Sequence, residues 1–280
     1  MEKRHFGNTG EKLSVAGFGG MLVMGETQAS ADRMVAEAVN KGINYFDVAP
    51  TYGDAEERLG PALLPYRKSV FLACKTVERS AEGAEKELSR SLERFKTDHI
   101  DLYQLHALNT EEDIRQVLAP CGALEFIWKA KQKGIIRFIG FSSHQEDAAL
   151  KLFDNFDFDS CMFPLNVFCW IKNGMGKKVI EKVKEKGAGL NALKAIAKTK
   201  RPKGKWEKWK KCWYEPLEDE KDLKLAVRFA LSLPITSALS SSHEELFRLQ
   251  CEASEYPKPL TKEEEQYLLK KYEGVEELFK

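Results

Sequence analysis

With 280 residues, of which 43% are hydrophobic, the chain is long enough to bury one large core, and one domain spanning residues 1–280 is the simplest expectation. Its 44 basic and 43 acidic residues leave a formal charge of +1, which excludes a global attraction to nucleic acid or to an anionic membrane. No stretch reaches the ~18 to 20 apolar residues of a membrane span, the start MEKRHFGNTGEKLSV lacks an apolar leader core, and six cysteines (74, 121, 161, 169, 212 and 251) contain no C-x-x-C pair, so a soluble cytoplasmic protein with reduced, buried thiols and no metal site is expected.

The chain opens with a hairpin pattern, RHF and LSV flanking the turn GNTGEK. Strand-length apolar runs then follow in the order VAGFG, INYFDV, VFLACK, IDLYQLH, IRFIGFS, SCMFPL, GAGLNAL and ITSALS. Helix-length patterns separate them at 32–41, 54–64, 82–95, 123–133, 145–155, 174–186, 219–231 and 243–254. In the third of these, Ala84, Leu88, Leu92 and Phe95 mark one apolar face. Strands apolar on both faces that return through helices predict a parallel sheet covered by helices. Repetition of eight βα units favours a closed (β/α)₈ TIM barrel over an open doubly wound sheet. A further C-terminal helix is predicted at 261–272, where Thr261 and Glu264 have capping-box spacing.

Barrels of this kind carry their chemistry on the loops that follow the strands. Asp47 ends the second strand run, Lys75 the third and His106 the fourth, while Tyr52 lies on the loop after the second, in YFDVAPTYGDAEERLG (45–60). Singly, such a lysine is usually solvated and such a histidine usually a satisfied core residue. Together they place an acid, a phenol, an ammonium and an imidazole on one rim, which a structural core does not require. An ammonium beside a phenol favours the phenolate and is expected to bring its pKa down towards the working range. In this reading Asp47 fixes Lys75, Tyr52 donates a proton to a carbonyl oxygen and His106 orients that oxygen. Cys74 points away from Lys75 by strand alternation, so a hydride-carrying cofactor is the natural attacker at the carbonyl carbon.

Together with the opening RHFGNTGEKLSVAGFGGM, the segments FDVAPTYGDAEERLG, VFLACK and DLYQLH resemble the aldo-keto reductases. LAPCGALEFIWKAKQKGIIRFIGFSSH is most similar to a bacterial branch of which some members carry a C-terminal ferredoxin-like segment, absent here. The resemblance implies an NAD(P)H-dependent oxidoreductase on a TIM barrel, with Asp47, Tyr52, Lys75 and His106 as its catalytic residues. It implies that Gly19, Gly20, Met21 and Asp47 lie near the nicotinamide, that Ser142 and Ser143 meet the carboxamide, and that Asn166 is close by. Met162 replaces a family glutamine, and Leu193, next to Lys194, replaces an aromatic residue that stacks on the nicotinamide; Leu193 and Lys194 remain among the expected cofactor contacts.

SSSHEEL (240–246) opens a helix after the eighth strand run. Unpaired N–H groups there, with the hydroxyls of Ser240, Ser241 and Ser242, suit a phosphate; an ordinary capping box between Ser242 and Glu245 is the plainer expectation, and the two can coexist. By the resemblance this is the adenosine end, with Glu245 and Gln250 among the cofactor contacts, Gln250 facing adenine, and NADPH favoured, NADH being possible. The Lys- and Trp-rich segment 198–216, with Trp206, Trp209 and Trp213, has three readings: a cover over the cofactor and substrate mouth, a solvated loop with packed tryptophans, or a single-strand nucleic-acid site. The expected partner is a small carbonyl compound, not nucleic acid. Two further readings are a cofactor-binding redox sensor with little turnover, and a Schiff-base lyase at Lys75.

Overall fold

The computed structural model describes residues 1–201, 204 and 208–279. Among them the strands are β1 (Lys3–His5), β2 (Lys12–Ser14), β3 (Ala16–Gly19), β4 (Tyr45–Asp47), β5 (Phe71–Thr76), β6 (Ile100–Leu105), β7 (Ile136–Ser142), β8 (Ser160–Pro164), β9 (Gly189–Leu193), β10 (Ala197–Lys200), β11 (Tyr214–Pro216) and β12 (Ser237–Leu239). The helices are α1 (Gln28–Asn40), α2 (Ala55–Leu63), α3 (Ala81–Phe95), α4 (Glu111–Leu118), α5 (Ala123–Gln132), α6 (Glu146–Asn155), α7 (Val167–Asn173), α8 (Lys177–Lys186), α9 (Glu220–Ser232), α10 (Glu244–Glu255) and α11 (Lys262–Lys271).

Strands β3 to β9 pair in sequence order, and β12 closes the ring between β9 and β3, every pairing parallel. The architecture is the expected eight-stranded TIM barrel, preceded by the antiparallel β1–β2 hairpin with Arg4 opposite Leu13.

Alternation along the strands divides the apolar residues between two cores. Inside the barrel, Tyr45, Phe71, Ala73, Leu102, Met162 and Leu239 pack together. The hairpin stops the floor of this core with Phe6 and Leu13. Phe6 lies so close to Gly189 that a Cβ there would fall 2.2 Å from its ring, so β9 needs glycine at that point. The larger core fills the space between strands and helices. Helix α3 shows why: Ser80 caps it by accepting from the Gly83 N–H, and its buried stripe includes Ala84, Leu88 and Phe95. Each such side chain contributes about 1.5–3 kcal/mol if fully buried.

Three elements depart from the expected pattern. Helix α4 falls in what reads as a loop, although Thr110 and Asp113 form a capping box before it. Helix α7 is short and apolar, capped by Asn166 and ended by Gly174 at φ +75. The Lys-rich segment begins and ends in a β10–β11 ribbon. The cysteines are all free, but Cys121 is exposed, at φ +61 before α5, where the thiols were expected to be buried. The capping box of α11 forms as expected between Thr261 and Glu264. No helix among the described residues is long and apolar enough to cross a membrane, and no group of three or more metal-ligating side chains occurs among them.

Candidate active site

Neighbouring strands β4, β5 and β6 bring Asp47, Lys75 and Gln104 to one level inside the barrel mouth, with Lys75 opposite Gln104 in register. The Lys75 Nζ donates to Asp47 Oδ1 and, at 3.0 Å, to the carbonyl oxygen of Val48. Asp47 Oδ2 accepts from Gln104 Nε2 at 2.8 Å and from the Tyr45 hydroxyl at 3.4 Å, and that hydroxyl accepts from Asn191 Nδ2 at 3.1 Å. Lys75 and Asp47 are 1% and 2% exposed, so both ions depend on this network rather than on water. Gln104, Tyr45 and Asn191 were read from the sequence only as strand residues. Their signal is inward-facing parity: Tyr45 sits two residues before Asp47, and Gln104 two before His106.

Tyr52 lies in the turn before α2, with its ring centre 5.5 Å from Lys75 Nζ and 6.1 Å from the His106 ring. Burial raises the Tyr52 pKa above the ordinary phenol value; Lys75 opposes this and Asp47 reinforces it. The expectation that Lys75 draws the phenol down is therefore corrected: desolvation outweighs the ammonium, and Tyr52 stays protonated at neutral pH. For Lys75 itself, burial pushes downward, but Asp47 and then Tyr52 more than offset it and hold the ammonium above its ordinary value. A protonated, ion-paired amine is no nucleophile, which removes the basis for a Schiff base at Lys75. His106 is pushed down to about 3, first by burial and then by Lys75, so its ring is neutral. Its Nδ1 is buried with no protein partner, while Arg79 braces the same loop through the His106 carbonyl oxygen at 3.0 Å. Cys74 faces outward, with Sγ 3.3 Å from Glu56 Oε1, as alternation requires.

A cavity of about 90 Å³ opens beside Tyr52. Of the expected site residues, Gly19, Gly20, Met21, Asp47, Tyr52, Leu193, Lys194, Ser240, Ser241 and Ser242 line it. The others stand behind or outside. Ser142 Oγ accepts from the Ala107 N–H at 2.8 Å, Ser143 ties its loop to Gln145, and both are buried. Asn166 caps α7 by accepting from the Cys169 N–H, which leaves its buried Nδ2 without a partner. Gln250 turns inward, its Oε1 accepting from the Ser241 N–H at 2.6 Å. Glu245 is exposed, and the α10 cap residue is His243 with no side-chain bond, so the capping box expected between Ser242 and Glu245 does not form.

The stretch from Lys208 to Pro216 crosses the cavity as a strap. Lys211 Nζ reaches Leu22 O at 3.0 Å and Glu26 Oε1 at 2.7 Å, its N–H donates to His243 Nε2, and Cys212 Sγ touches the hydroxyls of Ser241 and Ser242. Trp209 is buried and donates to Glu218, Trp213 lines the cavity, and Trp206 falls outside the described residues. Lys198, Lys208 and Lys211 are paired with Glu215, Glu218 and Glu26. The Lys211–Glu26 pair ties residues 208–216 across the cavity, and the three pairings leave those lysines little free charge for a nucleic-acid backbone.

The residues fit the nicotinamide end of a dinucleotide. One cavity is lined by Gly19, Gly20, Met21, Tyr52 and Leu193 and also by Ser240, Ser241 and Ser242 before α10, while the orphaned Nδ2 of Asn166 lies outside that lining. Lys211, Cys212, Trp213 and Tyr214 of the strap share this lining, and Cys212 contacts Ser241 and Ser242.

Comparison with known proteins bears on this geometry. The chain is 32% identical over 182 residues to YqkF, an uncharacterized oxidoreductase of Bacillus subtilis, covering 60% of this chain and 57% of that protein. It is 34% identical over 157 residues to the L-galactose dehydrogenase of Arabidopsis thaliana, covering 51% and 48%. The matches thus span about half the length of these curated relatives. The fold superposes on the holo form of the aldo-keto reductase AKR11C1 from Bacillus halodurans with a TM-score of 0.74 and 25% identity, over 96% of each chain. Residues 16–212, which carry Asp47, Tyr52, Lys75, His106 and most of the strap, match the model of the aldo/keto reductase family, and the chain belongs to that family.

Proposed function

We propose that the protein reduces a small aldehyde or ketone to the alcohol with NADPH, and that Tyr52 donates the proton. The observation that carries this reading is the buried Lys75–Asp47 pair beneath Tyr52 at the cavity wall. When bound, the reduced nicotinamide would supply hydride for the carbonyl carbon. As negative charge builds on the carbonyl oxygen, Tyr52 passes its phenolic proton to it, and the adjacent ammonium of Lys75 stabilises the phenolate left behind. Asp47, held by Gln104 and Tyr45, keeps Lys75 in place and charged. Neutral His106 directs a ring nitrogen at the same oxygen and fixes its approach. Gly19, Gly20, Met21, Leu193 and Asn166 would hold the nicotinamide, and the serines before α10 with Lys211 the phosphates.

Oxidation of NADPH and of NADH with a panel of aldehydes, ketones, quinones and dicarbonyls tests the reading. Turnover with at least one class, faster with NADPH, is expected. No turnover with any of them by protein that binds NADPH would overturn it. The clasped strap favours a second reading, a redox sensor that exchanges cofactor slowly; a partner whose affinity follows the cofactor's redox state, in protein without turnover, would decide for it.

A further inference from the structure

Lys194, expected from the sequence among the cofactor contacts, has no role in the proton transfer proposed above. Lys194 follows β9 at φ +59, a left-handed conformation that lysine rarely adopts, and such strain gathers at functional sites. It is 9% exposed and lines the cavity with Tyr52 and Asp47. Its Nζ lies 2.7 Å from His144 Nε2, 4.9 Å from the centre of the Trp213 ring and 5.5 Å from that of Phe279. His144 stacks on Phe279 at 5.3 Å, so the amine sits in a box of three rings. No carboxylate pairs with it among the described residues, whereas Lys198, Lys208 and Lys211 each have a glutamate. Burial, and then the charge of Lys75, bring its pKa down to about 7. His144 is pushed down to about 3 by burial and by Lys194, so it accepts from the amine and adds no positive charge of its own. Among the described residues the buried amine thus has no counter-charge, and an arriving anion would favour its protonated form.

Resting on the reductase reading, we infer that Lys194, boxed by His144, Trp213 and Phe279, receives a carboxylate of the substrate, so that the substrate class is a small aldehyde or ketone with a carboxylate a short chain away from the carbonyl. One ammonium beside a neutral imidazole matches a single negative charge; a phosphomonoester, with nearly two charges and three acceptor oxygens, calls for more donors than the box holds. The cofactor's phosphates are the competing anion. The strap, through Lys211 and Cys212, touches the residues before α10, while the described contacts of the Lys194 amine are with the loop after β7, with Trp213 and with the C-terminal Phe279. The two amines thus serve different ends of the cavity.

Calorimetric titration of the NADP-loaded protein with γ-hydroxybutanoate and with its uncharged amide tests the subsite apart from turnover. The carboxylate is expected to bind at least about tenfold more tightly than the amide. Lys194→Met is expected to abolish that difference and Lys194→Arg to keep most of it. The ratio of kcat/KM for succinic semialdehyde over butanal is expected to follow the same order. Equal binding of acid and amide by the wild type overturns the assignment, as does a carboxylate preference that survives in Lys194→Met. A Lys194→Met protein that binds NADPH more than about tenfold more weakly yet still prefers the carboxylate would move the amine to the cofactor. Carboxylate binding that depends on Lys194, without turnover of either aldehyde, would uphold the subsite and sink the reductase reading.

Discussion

At the Tyr52 end of the cavity the polar groups come mainly from strands and hold one another, whereas at the Ser240–Ser242 end they come from a loop and are held by a strap laid across them. Asp47, Lys75 and Gln104 belong to β4, β5 and β6, and they bond to one another across neighbouring strands. Ser241 and Ser242 touch Cys212, and the Ser241 N–H is taken by Gln250. The first arrangement is ready for chemistry before a substrate arrives, as electrostatic catalysis requires. In the proposed reading the second exchanges partners when cofactor binds, and so would set the rates of entry and release.

The largest effect that probes this contrast is on stability. Asp47→Ala leaves the Lys75 charge buried and unpaired, at a cost of about 3–5 kcal/mol in urea unfolding. Adding Lys75→Met is expected to recover much of that loss, and a double variant as unstable as the single one would show that the pair is not the source. Gln104→Met separates positioning from stability. It removes a charge-assisted bond worth about 1.5–3 kcal/mol, but also a buried amide oxygen that has no partner and costs about 1–3 kcal/mol. Stability should therefore change little, while kcat falls about tenfold as Asp47 and Lys75 loosen; unchanged kcat would deny Gln104 a positioning role.

Smaller effects belong to the strap. Lys211→Met removes its bonds to Leu22 and Glu26 and is expected to speed NADPH release by about three- to tenfold in stopped-flow tryptophan fluorescence, at an unchanged rate of hydride transfer. A slower hydride step with unaltered release would place the strap in the chemistry instead. The smallest effect is a null titration. Because the pKa of His106 is lowered to about 3, its ring stays neutral from about pH 5 upward, and its proton resonances should not shift between about pH 5 and 8. An inflection near the ordinary histidine value would show that the ring is solvated.

The same contrast explains what the sequence disclosed. The eight barrel strands were legible because runs such as VFLACK and IDLYQLH are apolar on both faces and bounded by helix patterns. Asp47, Lys75 and His106 stood out because charged or titratable groups at the ends of such runs need a reason. Gln104, Tyr45 and Asn191 did not, since a buried polar residue inside a strand announces itself only once the register is known. Helix α4 carried a missed signal in Thr110 and Asp113, and α7 was hidden because VFCWIK is apolar enough to pass for the end of a strand. At the other end, the contacts of Gln250 and the serines depend on where the strap lies, and no local periodicity encodes a contact between Cys212 and Ser241. The fall of Tyr52's pKa was misjudged because burial is a property of the packed turn, not of its neighbours in sequence.

The central claim is that Tyr52 gives the proton, and Tyr52→Phe tests it most directly because it removes a single oxygen and leaves the aromatic packing in place. General acid catalysis is worth about 10²- to 10⁴-fold. In a single turnover of NADPH-loaded protein with a reducible aldehyde, Tyr52→Phe is expected to bind NADPH within about threefold of the wild type and to transfer hydride at least about a hundredfold more slowly. A variant that keeps more than about a tenth of the wild-type hydride-transfer rate would contradict the account.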